Sequence, residues 1–105
     1  MPTTGVRLQH HEAIEALCRK YHVQTLDLFG SATRDEESAG DYDFLVTFDE
    51  SCRGRLLQTF LNLADELETV LGKPVELLTP RSLKNPVFRK AVLEQKKYVY
   101  ERADA

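Results

Sequence analysis

The eight residues Asp41–Phe48, DYDFLVTF, alternate, and they restrict the possible folds more than any other segment of the chain. In an extended strand, successive side chains leave opposite faces. Tyr42, Phe44, Val46 and Phe48 therefore share one face, and Asp41, Asp43, Leu45 and Thr47 share the other. A strand with four large apolar groups on one side must lay that side on a core. The pattern predicts a sheet whose aromatic face is covered by helices and whose face carrying Asp41 and Asp43 stays open.

The flanking segments supply the rest of such a sheet. Residues 9–21 carry Ile14, Leu17, Cys18 and Tyr21 at helical spacing. Residues 24–29 are short and apolar, end at Gly30, and read as a strand. Residues 30–37 read as a turn opening a short helix, with Ser31 as N-cap. After a polar loop at 49–54, Leu56, Phe60, Leu63, Ala64, Leu67, Val70 and Leu71 trace a long helix, and Gly72 is placed to end it. Residues 74–78 form a third strand. Thr79-Pro80 and Asn85-Pro86 each pair a cap residue with proline at the first helical position. The second pair opens a helix to about Gln95, with Val87, Phe88, Ala91 and Val92 expected inward; Lys97–Tyr100 either adds a final strand or extends the chain. The expected class is α+β: a small mixed sheet covered on one face by helices.

A length of 105 residues suits one domain, taken as 1–105, and 42% hydrophobic residues can fill one core. The net charge of −3 argues against a general nucleic-acid binder, so no direct nucleic-acid binding is expected. No apolar run nears the roughly 18 residues of a membrane span, and the first residues lack a signal-peptide pattern. A cytoplasmic location with no membrane partner is the expectation. There Cys18 and Cys52 would be free thiols, Cys18 in the core and Cys52 in a polar loop. His10 and His11 are adjacent and would diverge on a helix, which suits a helix start better than a metal site.

Asp41 and Asp43 leave one strand face with Cα atoms about 6.6 Å apart. Two such carboxylates repel unless a cation lies between them, and hard oxygen donors suit Mg²⁺ or Mn²⁺. A lone Asp-x-Asp is more often just an exposed strand. Here it follows Gly30-Ser31, placed where a strand passes into a helix, a position that presents free N–H groups to phosphate. Arg34 stands one turn on, and a guanidinium suits phosphate oxygens; it reads equally as a surface arginine. Glu76 interrupts the apolar Val75-Glu76-Leu77 and would face the side of Asp41 and Asp43; an exposed strand acid is the plain alternative.

Together these residues resemble a known pattern. Gly30-Ser31, nine residues, then Asp41-Tyr42-Asp43-Phe44 are similar to the signature of the polymerase-beta-like nucleotidyltransferase superfamily. LFGSATRDEESAGDYDFLVTF, GKPVELLTP and AVLEQKKYVYE resemble the minimal nucleotidyltransferase (MNT) family along essentially the whole chain. Gly40 stands where many relatives have serine, and Glu76 where many have aspartate. The resemblance implies a polymerase-beta-like nucleotidyltransferase fold. It implies metal ions held by Asp41, Asp43 and Glu76, with Glu76 also helping to deprotonate an acceptor hydroxyl. Gly30 and Ser31 would hold the triphosphate of ATP, assisted by Arg34. It also implies a hetero-oligomer with a HEPN-domain RNase toxin, neutralised by AMP transfer to a tyrosine. The alternative is a non-catalytic antitoxin that inhibits by contact. A third reading, a small-molecule nucleotidyltransferase, would need an acceptor pocket that is not visible in the sequence.

Overall fold

The computed structural model describes residues 5–50 and 54–102, so Cys52 lies outside the described residues. The elements run α1 (His11–Lys20), β1 (Val23–Phe29), a single 3₁₀ turn (Ser31–Thr33), β2 (Tyr42–Phe48), α2 (Leu56–Leu71), β3 (Val75–Leu78), a second 3₁₀ turn (Pro80–Ser82), α3 (Pro86–Gln95) and β4 (Lys97–Glu101). The four strands form one mixed sheet in the order β3-β2-β1-β4. β1 is antiparallel to both β2 and β4, while β2 and β3 are parallel. Lys97–Glu101 is thus a strand, paired along β1.

The aromatic face behaves as its alternation demands. Tyr42, Phe44 and Val46 pack with Leu26, Leu28 and Leu77 of the neighbouring strands against Ile14, Leu17 and Cys18 of α1 and Leu63 and Leu67 of α2. Leu63 and Leu67 are fully buried, each contributing about 1.5–3 kcal/mol of apolar transfer free energy. His11 is buried at the start of α1, where its Nδ1 accepts a hydrogen bond from the Leu8 N–H at 3.3 Å. Gly72 ends α2 in the left-handed conformation expected of it. Among the described residues no helix is long and apolar enough to cross a membrane.

The opposite face is only partly open. Phe29, Leu45, Leu83 and Val92 form a second, smaller cluster, with Leu78 beside it, so α3 lies across part of the face that carries Asp43. This corrects the expectation for α3: Val92 faces inward, but Val87 is 79% exposed and Phe88 46%. The sheet there offers only Phe29, Leu45 and Leu78 to pack against, too few to bury a four-residue stripe. At the C-terminal end of α3, Lys96 Nζ lies 3.3 Å from Asp27 Oδ2. Asp27 is buried on this same face; burial raises its carboxyl above the ordinary range, and Lys96 opposes the rise.

Residues 34–41, which connect the first 3₁₀ turn to β2, have no regular structure and are pinned from outside. Lys73 Nζ donates to the carbonyl oxygens of Glu36, Glu37 and Ala39 at 2.9, 3.0 and 2.7 Å. The Tyr42 hydroxyl and the Gln9 N–H both donate to Glu36 Oε2, at 2.7 and 2.9 Å. An irregular segment must satisfy its backbone carbonyls somehow; here one ammonium satisfies three. Lys73→Met keeps the aliphatic stem and removes those bonds. It is expected to cost about 2 kcal/mol and to lower the thermal midpoint by about 10 °C, read by circular dichroism. An unchanged midpoint would mean that water replaces the ammonium without loss.

Candidate functional site

The sheet places the acids by register. Asp43 has Glu76 as its partner across the parallel β2–β3 ladder and Phe29 across the antiparallel β1–β2 ladder. Directly opposed residues share a face, so Asp43 and Glu76 stand side by side on the face opposite the main core. Asp41 precedes the ladder, which begins at Tyr42, and is exposed; it acts on Asp43 as a neighbouring charge. The Asp43 carboxyl is pushed up to about 6, first by burial, then by the charges of Asp41 and Glu76 and by a hydrogen bond shared with Glu76. Two carboxyls can share such a bond only if one holds a proton.

Gly30 closes the other side of Asp43. It has φ +81°, a conformation that L side chains rarely adopt, and a Cβ built there would overlap Asp43 Oδ2 and sit 3.3 Å from Cγ. The glycine is therefore required twice, by its backbone angle and by the carboxylate against it. The 3₁₀ turn that follows begins with the Thr33 N–H donating to the Gly30 carbonyl at 3.1 Å. The N–H groups of Ser31 and Ala32 precede that first bond and have no partner within the turn. Thr33 Oγ1 also donates to the Gly30 oxygen, at 2.6 Å.

Two expectations for this turn need correction. The short helix over residues 30–37 is one 3₁₀ turn, Ser31–Thr33, and Gly30 occupies the cap position, with Ser31 inside the turn and no side-chain cap bond. Proximity to Asp43 fixes glycine at the cap, which leaves the hydroxyl of Ser31 exposed to solvent. Arg34 is exposed one turn on, its N–H bonded to the Ser31 carbonyl at 3.0 Å. Its guanidinium is in no ion pair among the described residues.

The structure thus brings Gly30, Asp43 and Glu76 together, with Asp41 in electrostatic range and Ser31 and Arg34 on the adjoining turn. Among the described residues, no three His, Cys, Asp or Glu side chains converge on one cation position. Even so, the donor set fits a divalent cation. All of the groups are carboxylate oxygens, and two are ladder partners whose mutual repulsion a cation would relieve. Sequence reasoning missed Lys73, Glu36 and Asp27. The Gly-Lys-Pro turn before β3 held the only trace of Lys73, and nothing in the sequence reveals that its ammonium crosses to the 36–39 loop.

Comparison with known proteins points the same way. The family profile described as "Polymerase beta, Nucleotidyltransferase" matches residues 12–105. A Methanocaldococcus jannaschii protein provisionally named a protein adenylyltransferase is 38% identical over 93 residues, which cover 88% of this chain and 90% of that one. A solved structure provisionally described as a minimal nucleotidyltransferase superposes with a TM-score of 0.66 at 32% identity, covering 84% of this chain and 87% of that one. A solved toxin–antitoxin structure with AMP-PNP superposes with a TM-score of 0.63 at 25% identity, covering 89% of this chain and 74% of that one.

The crowding around Asp43 has a thermodynamic signature. A carboxyl held above its unfolded value favours the folded state while protonated. That contribution is complete below the ordinary value of 3.8 and is lost as pH rises through about 6. In chelator-treated protein, Asp43→Asn is expected to exceed the parent in stability at pH 8 by about 1 kcal/mol, a figure already reduced for solvent screening. The gap should close as pH falls through about 6. Urea titrations across this range would measure it, and a gap independent of pH would remove the electrostatic account.

Proposed function

The chain belongs to the polymerase beta nucleotidyltransferase family, and we propose that it transfers AMP from ATP to a tyrosine hydroxyl of a HEPN-type RNase toxin, acting as the antitoxin of that partner. The observation that carries this reading is the pairing of Asp43 with Glu76 across β2–β3, with Gly30 packed on the same carboxylate. A wall of oxygen donors beside a turn with free N–H groups suits a triphosphate accompanied by a divalent cation. The kinship with a protein adenylyltransferase and with a toxin–antitoxin complex holding AMP-PNP supports the substrate and the partner.

Asp41, Asp43 and Glu76 would hold Mg²⁺ or Mn²⁺, which when bound supplies charge stabilisation to the attacking and leaving oxygens. The backbone N–H groups after Gly30, with the Ser31 hydroxyl, hold the triphosphate tail, and Arg34 neutralises part of its charge. The acceptor oxygen attacks the α-phosphorus, the bond to the β-phosphate oxygen breaks, and pyrophosphate leaves. Glu76 is on the exposed side of the acid pair and takes the hydroxyl proton. The rest is positioning: attacking oxygen and phosphorus must be held about 3–3.5 Å apart.

The test is mass spectrometry of the HEPN-type partner after incubation with this protein, ATP and Mg²⁺. The expected result is addition of one or more AMP units on tyrosine, abolished by Asp41→Asn combined with Asp43→Asn while the fold is kept. If the double variant neutralises the partner unmodified, the contact-only antitoxin is the correct reading.

A further inference from the structure

Phe88 is an aromatic ring left half-exposed beside the acid site, and neither the triphosphate nor the acceptor chemistry uses it. Its exposure is 46%, whereas Phe29, against which it packs edge-on at 6.3 Å between centroids, is 6% exposed. Phe29 is the ladder partner of Asp43. Such partners stand about 5 Å apart, so Phe29 links Phe88 to the ladder position of Asp43. Its placement is rigid: Asn85 Oδ1 accepts from the Val87 and Phe88 N–H groups at 2.9 and 3.2 Å, and Pro86 fixes the first turn of α3.

The two ladder neighbours of Asp43 divide the site. On the β3 side stands Glu76, a carboxylate suited to a hydroxyl nucleophile. On the β1 side stand Phe29 and Phe88, apolar and aromatic. On the nucleotidyltransferase reading, the triphosphate tail would run from Asp43 toward the turn after Gly30, which packs on that carboxylate. A nucleotide whose α-phosphate sits at Asp43 has a charged end, which the turn takes, and a flat aromatic end, which needs an apolar wall. The hydroxyl side is occupied by Glu76. We infer that Phe88 is the platform on which the nucleobase of the bound nucleoside triphosphate stacks, with Phe29 as its backing. This rests on the nucleotidyltransferase reading and adds a residue that recognises the base.

The experiment compares ATP with inorganic tripolyphosphate, each titrated calorimetrically with Mg²⁺ into the parent, Phe88→Leu and Phe88→Trp. Leucine keeps the packing on Phe29 and loses the ring; tryptophan restores a ring. Stacking predicts that Phe88→Leu weakens ATP by about tenfold or more, leaves tripolyphosphate unchanged, and is rescued by Phe88→Trp. Arg34→Ala should weaken both ligands alike. Unchanged ATP affinity in Phe88→Leu overturns the inference and leaves the nucleotidyltransferase reading intact, as does a loss of partner modification without loss of ATP binding, which would make Phe88 a seat for the acceptor. Equal weakening of both ligands also overturns it, since the damage would then lie in the turn. A parent that binds neither ligand removes both readings together.

Discussion

The contact between the Asp43 carboxylate and the backbone of Gly30 is the constraint around which the site is arranged. One partner belongs to β2 and the other to the exit of β1, and they meet only because those strands pair with Phe29 opposite Asp43. No side chain fits between them, and the chain leaves β1 there at a positive φ, so glycine is required on both counts. The Ser31–Thr33 turn follows directly from that residue. The return to β2 then falls to an irregular loop, tied down by the ammonium of Lys73 and the hydroxyl of Tyr42. Core packing cannot hold that loop, because Ala39 is its only buried residue before β2.

The electrostatics of the site work against folding. Burial and two neighbouring negative charges all raise the Asp43 carboxyl. A structure selected for stability alone would place a neutral group there, as it does elsewhere on that face with Thr25 and Thr47, whose hydroxyls bond across the ladder at 2.5 Å. Like charge gathered within one sheet is a cost that the proposed cation would relieve. Asp27 makes the contrast: it lies on the same face, is also raised by burial, and has Lys96 as a built-in counterion. Asp27 is paired by the protein, whereas the groups that shift Asp43 are burial and other acids.

Much of this was legible in the sequence because it depends on period. The alternation of residues 41–48 set both faces of β2, and the spacing of Leu63 and Leu67 set the buried stripe of α2. Glu76 was placed beside Asp43 by a parity argument, which is how a ladder works. Period was insufficient where exposure depends on what lies opposite. Val87 and Phe88 look like core residues by helical spacing, but their face overhangs a patch of only three apolar side chains. The Ser31 cap was misread because close approach by a residue 13 positions away selects the conformation at Gly30. Long side chains such as Lys73 reach across loops, and no local pattern records where their ends arrive.

Charge along the chain fits the division of the acid face. Between Arg81 and Lys97 there are six basic residues and one acid, Glu94, although the chain as a whole is at −3. This is the segment that crosses the face carrying Asp43, and Arg81, Lys84, Arg89 and Lys90 are all exposed. A polyanion approaching carboxylates would be repelled at long range unless positive charge stood nearby, and potentials from such clusters extend about 8 Å at physiological salt. This segment therefore contributes in two ways: α3 seals Phe29 and Leu45 beneath Val92, and the residues from Arg81 to Lys97 carry an excess of basic side chains along the chain. The outer side of α3, where Val87, Phe88, Arg89 and Lys90 are exposed, stays wet, and its apolar stripe is correspondingly weak.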